Sequence, residues 1–252
     1  MAEDIGCRMG EVEQMIRHAY WSSGCTGIVL GVSGGVDSAV AAAFCCRAIG
    51  PERVLGLLLP SSVSSTDDLQ DAAAICTQLG MEHRTISIEP MLQAFRAVPG
   101  FSESPYLLGN LMARIRMAVL YYHANLKHRL VCGTSNRSEY LLGYCTKFGD
   151  NAADIQPLLH LYKTDVYAMA KEIGIPEPII RKTPSAGLWR GQSDEGEIGL
   201  PYEKIDASLK ILEANGWKAA DLVQEKVLVL VQKNAHKRLP APSLSAAPKG
   251  PA

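Results

Sequence analysis

The chain has 252 residues, of which 47% are hydrophobic and 20% are charged, a composition typical of a globular protein with a sizeable core. Its formal net charge is -1, which argues against nucleic acid or an anionic membrane as a partner. The seven cysteines form neither a CxxC pair nor a metal-binding spacing, and the first residues lack the apolar core of a signal peptide, so we expect a cytoplasmic protein.

The first 134 residues alternate between predicted helices and short apolar strands. An amphipathic helix over 10–20 precedes a strand over 26–32 and an alanine-rich helix over 38–49. Further along the chain, strands are predicted over 54–59, 83–88 and 130–134, with one helix from Thr66 to Gly80 and another over 105–128. This alternation predicts an α/β fold with a doubly wound, mostly parallel sheet and helices on both faces.

Beyond residue 157 the pattern turns to helices and loops. Prolines interrupt the stretch around 176–184, and two further helices are predicted over 202–214 and 218–234. Since no interior linker or repeat is visible, we expect a single domain over 1–239 with a helical C-terminal part. The Pro/Ala/Ser-rich stretch over 240–252 is expected to be a solvated tail.

The sharpest motif lies between the first strand and the helix that follows it, with the sequence SGGVDS over 33–38. Glycines let a backbone approach an anion closely, and a helix N-terminus offers free N–H groups and a positive dipole end. The motif has neither the lysine of a Walker A loop nor the GxGxxG of a dinucleotide-binding loop. Because Asp37 would repel a phosphate unless a cation lay between them, we predict Mg²⁺ there. A simpler interpretation is a tight turn in which Ser33 caps the helix.

A second polar block runs from Gly133 to Asp154, starting at the carboxyl end of the fourth strand. The phosphate loop is expected at the same edge of the sheet, which is where open α/β sheets bind ligands. Glu139 is therefore expected to reach the same Mg²⁺ as Asp37, giving two carboxylates for one ion.

These motifs resemble a known family. The segment 33–38 matches the PP-loop of the ATP pyrophosphatase superfamily. The block over 133–154 closely resembles the ammonia-dependent NAD synthetases, as do LYKT at 161–164, PSAGLW at 184–189, GQSDE at 191–195, the helix over 109–117 and HKR at 236–238. The resemblance runs from about residue 28 to 239. It implies an adenine nucleotide alpha hydrolase-like fold and the ATP-dependent amidation of deamido-NAD to NAD through an acyl-adenylate, with release of AMP and pyrophosphate.

The same resemblance implies roles for individual residues. ATP would be held by the loop and by three later residues, namely Gly31, Val32, Ser33, Gly34, Gly35, Val36, Asp37, Ser38, Thr134, Lys163 and Ser185. Asp37 and Lys163 would act in catalysis, and Asp37 and Glu139 would bind Mg²⁺. Deamido-NAD would contact Arg114, Lys147, Asp150, Asp154, His236 and Lys237. A homodimer is also implied, with the helix over 105–128 and the N-terminal helix as interface candidates.

Three other functions stay open at this stage. The ATP pyrophosphatase half of a GMP synthetase would adenylate a purine carbonyl oxygen, a tRNA-thiolating enzyme would need paired cysteines and a basic surface, and a nucleotide sensor would bind ATP without turnover. Arg114 and Arg116 lie two apart on one helix and so face different directions, which leaves one for a ligand and the other for an ion pair. Glutamine-using relatives carry a large amidase-like domain for which this chain has no room, so free ammonia is the expected nitrogen donor.

Overall fold

A computed structural model describes residues 5–189 and 191–242. Its sheet has four strands, β1 (Ile28–Gly31), β2 (Val54–Leu58), β3 (Glu82–Thr85) and β4 (Leu130–Cys132), in the order β3-β2-β1-β4. Every neighbouring pair is parallel, and Ile28 stands opposite both Val54 and Leu130. The predicted parallel α/β sheet is therefore confirmed.

The predicted third strand was too long at its carboxyl end. The amides of Ile86 and Ile88 still donate to the carbonyls of Leu58 and Pro60, at 2.8 and 2.9 Å. Pro60 has no N–H group to donate in return, so the ladder of β2 and β3 cannot continue past Thr85.

Among the described residues, 5–127 contain five helices: α1 (Ile5–Ser23), α2 (Val36–Ile49), α3 (Thr66–Gln78), α4 (Glu89–Arg96) and α5 (Pro105–Lys127). Helix α1 is longer than predicted, and α4 was missed. An eight-residue segment is too short for helical periodicity to be separated from that of a loop.

Six helices follow in the part of 137–242 that the structure describes: α6 (Arg137–Leu142), α7 (Lys163–Glu172), α8 (Glu177–Ile180), α9 (Asp194–Ile198), α10 (Tyr202–Ala214) and α11 (Leu222–Lys233). Helix α10 has the predicted bounds. Helix α11 begins at Leu222 rather than at 218, because the Asp221 side chain accepts a hydrogen bond from the Gln224 amide and caps the helix. Of the predicted tail, residues 243–252 lie outside the described residues, so the domain boundary at 239 stays a prediction.

The strands divide the core into two layers. Ile28 and Leu30 of β1 pack with α1, α2 and α7, whereas Val29 packs with α4 and α5 on the opposite face. This is the alternation that a strand covered on both sides requires. A third apolar cluster, built mainly by α6, α10 and α11, lies beside these layers and includes Tyr202 and Leu209. Within 5–189 and 191–242, every helix lacks the length and apolar character that a bilayer span requires.

Candidate functional site

A cavity of about 1340 Å³ lies beyond the carboxyl ends of β1 and β4. Thr134, Lys163, Ser185 and every residue of the phosphate loop except Gly34 line it, together with Gly31 and Val32. The sequence had placed these residues in a nucleotide site, a role that stays a prediction. Parallel strands of an open sheet end together at one edge, and this is what brings these distant segments to one cavity.

The phosphate loop leaves the start of α2 open to an anion. Gly35 is the N-cap of α2, and no side chain caps the first turn. Ser33 is thus not a helix cap, which excludes the simpler interpretation of the motif. The Ser38 hydroxyl instead donates to the Gly35 carbonyl at 2.9 Å and accepts from the Ser33 amide at 3.2 Å, so it shapes the loop from within. The uncapped amides stand at the positive end of the helix dipole.

Gly34 adopts a left-handed backbone conformation, with φ of +80°. A β-carbon built at this position would lie 2.3 Å from the carbonyl oxygen of Asp68 in the first turn of α3. The loop therefore needs glycine for two reasons, its backbone angle and its close approach to α3.

Three charged side chains meet at the start of α2. The Lys163 Nζ atom lies 2.5 Å from an oxygen of Asp37 and 3.5 Å from an oxygen of Glu139. Only 3% of the Lys163 side chain is exposed, so this ammonium depends on the two carboxylates for its charge compensation. Its Nζ atom also lies 5.2 Å from the centre of the Tyr202 ring.

Local hydrogen bonds hold this triad in place. The Asn136 side chain caps α6, exchanges capping-box hydrogen bonds with Glu139, and donates to Asp37 at 2.9 Å. The Ser138 hydroxyl accepts from the Lys163 amide at 2.9 Å and donates to Asp206. Asn136 and Ser138 are fully buried, so these contacts fix α6 and α7 against the phosphate loop.

The two acidic groups of the triad, Asp37 and Glu139, favour a positive charge beside them. Burial and the nearby Asp37 carboxylate raise the pKa of Glu139 to about 8, although Lys163 opposes this shift. Burial alone would lower the pKa of Lys163, but Asp37 and Glu139 outweigh it and raise that pKa above its ordinary value. The predicted repulsion at Asp37 is therefore already relieved in part by Lys163, a cation that the local sequence did not reveal.

The two carboxylates also suit a divalent cation. In the described part of the chain no group of three or more histidine, cysteine, aspartate and glutamate side chains is arranged to hold a metal. Mg²⁺ commonly takes only one or two carboxylates and completes its shell with water and substrate phosphates. Asp37 and Glu139, beside an anion-binding helix end, fit that pattern.

Three of the residues expected to contact deamido-NAD line the cavity: Asp150, His236 and Lys237. Asp150 accepts a hydrogen bond from the Thr146 amide at 2.8 Å, while burial raises the pKa of its carboxyl. The Lys237 ammonium donates to the carbonyls of Gly143 and Cys145, both at 2.8 Å. Lys237 thereby fastens the segment after α11 to the block that follows β4.

The other three expected contacts point elsewhere. The exposed Arg114 side chain donates to the Lys147 carbonyl at 3.2 Å. Lys147 donates to the carbonyl of His236 at 2.6 Å, and Asp154 accepts from the Val131 amide at 2.7 Å. Within one chain, these three side chains hydrogen-bond to the backbone and do not line the cavity, so their contact with a substrate stays a prediction.

Sequence reasoning left the cavity role of Arg116 open and missed those of Lys182 and Asp194. Arg116 lines the cavity and donates to the Leu59 carbonyl at 3.0 Å. The signal for it was helical spacing, since Asn110 and Ala113 precede it at intervals of three and also line the cavity. Asp194, 4% exposed, accepts from the Tyr202 hydroxyl at 3.1 Å, a contact that only the packing of α9 on α10 creates.

Comparisons with known proteins agree with this geometry. The sequence model of the NAD synthase family matches residues 8–241. The chain is 72% identical to the NH(3)-dependent NAD(+) synthetase of Methanoregula boonei over 248 residues, which are 98% of this chain and 100% of that protein.

Two solved structures show the same fold. The NH3-dependent NAD synthetase of Campylobacter jejuni, in complex with the nitrate ion, superimposes with a TM-score of 0.83 at 35% identity, over 97% of this chain and 100% of that one. The NMN synthetase of Francisella tularensis gives a TM-score of 0.86 at 36% identity, over 98% and 100% of the two chains. With its sequence matched almost from end to end and its cavity built on the motifs that carried the resemblance, the chain belongs to the NAD synthase family.

Proposed function

We propose that this enzyme converts deamido-NAD to NAD with ATP and ammonia, the final step of NAD biosynthesis. The observation that carries the proposal is the contact of Lys163 with Asp37 and Glu139 at the uncapped start of α2. This arrangement places a buried cation and two carboxylates beside a helix end suited to phosphates. The 72% identity to an NH(3)-dependent NAD(+) synthetase supports the choice of substrate.

ATP would lie with its phosphates against the amides of Val36 and Asp37. The Lys163 ammonium, already held at that position, would stabilise the charge that develops on the leaving pyrophosphate. Thr134 and Ser185 line the cavity on either side and would contact the nucleotide.

Asp37 and Glu139 are the residues that would hold Mg²⁺. When bound, the ion would neutralise charge on the phosphates of ATP. Lys163 would then share the two carboxylates with the ion. Its flexible side chain can turn the ammonium toward the nucleotide and so leave room for the ion.

The reaction would proceed in two steps within the cavity. A nicotinate carboxylate oxygen attacks the α-phosphorus of ATP, and the bond from that phosphorus to the bridging oxygen breaks, which releases pyrophosphate and leaves an acyl-adenylate. Ammonia then attacks the activated carbonyl, AMP departs, and the nitrogen loses a proton to give the amide. Aligning two large substrates in one cavity can supply roughly 7–11 kcal/mol of the barrier reduction.

We also infer a homodimer in the cytoplasm. Exposed aromatic and aliphatic side chains on α1 and α5 support an interface there, among them Trp21 at 73%, Tyr122 at 65% and Leu126 at 64% exposure. Exposed apolar groups of this size are typical of surfaces that become covered.

AMP formation tests the proposed reaction. The purified protein with ATP and MgCl2 should release AMP only when deamido-NAD and ammonium chloride are both present, and EDTA should stop it. Xanthosine monophosphate in place of deamido-NAD should give none, which separates this activity from that of a GMP synthetase. Nicotinate mononucleotide tests the activity named for the Francisella protein; a higher kcat/KM with it than with deamido-NAD would overturn the assigned substrate.

A further inference from the structure

The loop between α8 and α9 carries residues that line the same cavity as the phosphate loop, including Thr183, Pro184 and Ser185. Its later end is fixed by a 2.9 Å hydrogen bond from the Asp194 amide to the Pro184 carbonyl. Its earlier end begins beside Lys182, whose ammonium points back toward the start of α3.

Lys182 joins three segments that are far apart in the sequence. Its Nζ atom lies 2.7 Å from an oxygen of Asp68, 2.5 Å from an oxygen of Asp71 and 3.2 Å from the carbonyl oxygen of Gly34. An ammonium has three protons to donate, and these three acceptors use all of them. Lys182 is thus committed to protein acceptors, even though it lines the nucleotide cavity.

These contacts lie where the phosphate loop approaches α3 closely. Gly34 already lies so close to the Asp68 backbone that a β-carbon would overlap it, at 2.3 Å. The ammonium of Lys182 bridges the Gly34 carbonyl and the Asp68 side chain across this contact. A displacement of Lys182 would therefore also displace the loop that receives the phosphates.

Charge gives Lys182 a second effect. Asp68 lines the cavity, and Asp71 is its neighbour one turn along α3. Without Lys182 the negative charge of these two carboxylates would repel a triphosphate bound in the cavity. Their side chains are 39% and 29% exposed, and that of Lys182 is 26% exposed, so water already weakens the pairs and their contribution to stability is small. The main consequence of the contact is then for the ligand rather than for the fold.

We propose that Lys182 is a positioning residue for the nucleotide, one that cancels the charge of Asp68 and Asp71 beside the phosphates and ties the Thr183–Ser185 side of the cavity to the phosphate loop. The idea rests on the proposed function in that ATP is taken as the ligand. Lys163 has a different role from Lys182, because it is buried where the reacting phosphates would lie and is the proposed catalytic cation.

Binding of α,β-methylene ATP with MgCl2, measured by calorimetry without deamido-NAD, is the direct test, since this analogue cannot be cleaved between its first two phosphorus atoms. Lys182→Ala should weaken binding about tenfold, and Lys182→Arg should stay within about threefold of the wild type. Lys204→Ala, an exposed lysine on α10, is the matched control and should bind normally.

Removal of the acids separates positioning from direct contact. If Lys182 cancels their charge, the triple variant Lys182→Ala, Asp68→Asn, Asp71→Asn should recover binding to within about threefold of the wild type. In steady state, Lys182→Ala should raise the KM for ATP about tenfold while kcat and the KM for deamido-NAD change less than threefold. Unchanged binding in Lys182→Ala, or a triple variant as weak as Lys182→Ala, would overturn the proposal; the second result would mean that Lys182 does not act by cancelling the charge of Asp68 and Asp71.

Two features keep this test independent of folding and of the proposed reaction. Should Lys182→Ala not fold, the double variant Asp68→Asn, Asp71→Asn provides the test. In this variant Lys182 keeps the Gly34 carbonyl and the asparagine oxygens as acceptors, so the analogue should bind no more weakly than to the wild type. A tenfold loss of binding would overturn the proposal. A wild type that binds the analogue but never releases AMP would contradict the proposed function and leave the Lys182 result intact.

Discussion

The Lys163 ammonium lies 2.5 Å from Asp37, although 126 positions separate them in the chain. Asp37 stands in the first turn of α2, and Lys163 is the first residue of α7. Two helix starts that are distant in the chain thus combine a buried cation with an anion-binding backbone.

The carboxylates of this triad should be essential for turnover but not for folding. Asp37→Asn and Glu139→Gln should each lower the rate of AMP formation at least about a hundredfold, because each leaves a single carboxylate for the cation at the phosphates. The rate should be measured over a range of MgCl2 concentrations, with circular dichroism to verify the fold. Glu203→Gln, an exposed change on α10, is the control. Near-normal rates in both variants would remove the shared-metal hypothesis.

Lys163 should contribute to stability as well. Lys163→Met leaves the Asp37 carboxylate without its buried cation in a poorly hydrated site, so the free energy of unfolding should fall by about 3 kcal/mol. Urea unfolding measures this change. MgCl2 should recover part of the loss in the variant, because the ion would take the place of the ammonium. An unfolding curve that MgCl2 does not move would speak against a divalent cation at this position.

Gly34 should tolerate no side chain. In Gly34→Ala the left-handed backbone and the overlap with the Asp68 carbonyl act together, and we expect a loss of about 3 kcal/mol in stability together with weaker ATP binding. Gly174→Ala is the matched control, since Gly174 also has a positive φ, +77°, but meets no atom within 4 Å. Its loss should be about 1 kcal/mol, with normal binding. If Gly34→Ala and Gly174→Ala lost equal amounts of stability and of ATP binding, the contact of Gly34 with α3 would be unimportant.

The two arginines of α5 should separate in their effects. Arg114→Ala should weaken deamido-NAD binding about tenfold and ATP binding much less, if the exposed guanidinium forms a charge-assisted hydrogen bond with that substrate. Arg116→Ala should lower the thermal midpoint, because it removes the hydrogen bond to the Leu59 carbonyl, whereas Arg114→Ala should not. Titrations in which Arg114→Ala affects both ligands equally would refute the assignment.

Much of the fold was accessible from the sequence. The strands over 54–59 and 26–32 and the helix over 202–214 were predicted close to their observed positions, because apolar periodicity and caps are local signals. Helix α4 and the end of β3 were predicted wrongly. Helix α4 is too short to show a helical hydrophobic period. The end of β3 depends on Pro60, which follows the neighbouring strand β2.

By itself, the sequence determined the family, the phosphate loop and the edge of the sheet where the site lies, since each follows from a contiguous motif or from the order of strands and helices. Only the tertiary structure decided that Lys163 neutralises Asp37, that Arg116 rather than Arg114 lines the cavity within one chain, and that Lys182 joins Gly34 to α3. The physical reason is that each of these contacts spans a large stretch of chain and depends on distances of a few ångströms. Such distances are set by how whole helices pack on the sheet, which no local pattern of residues encodes.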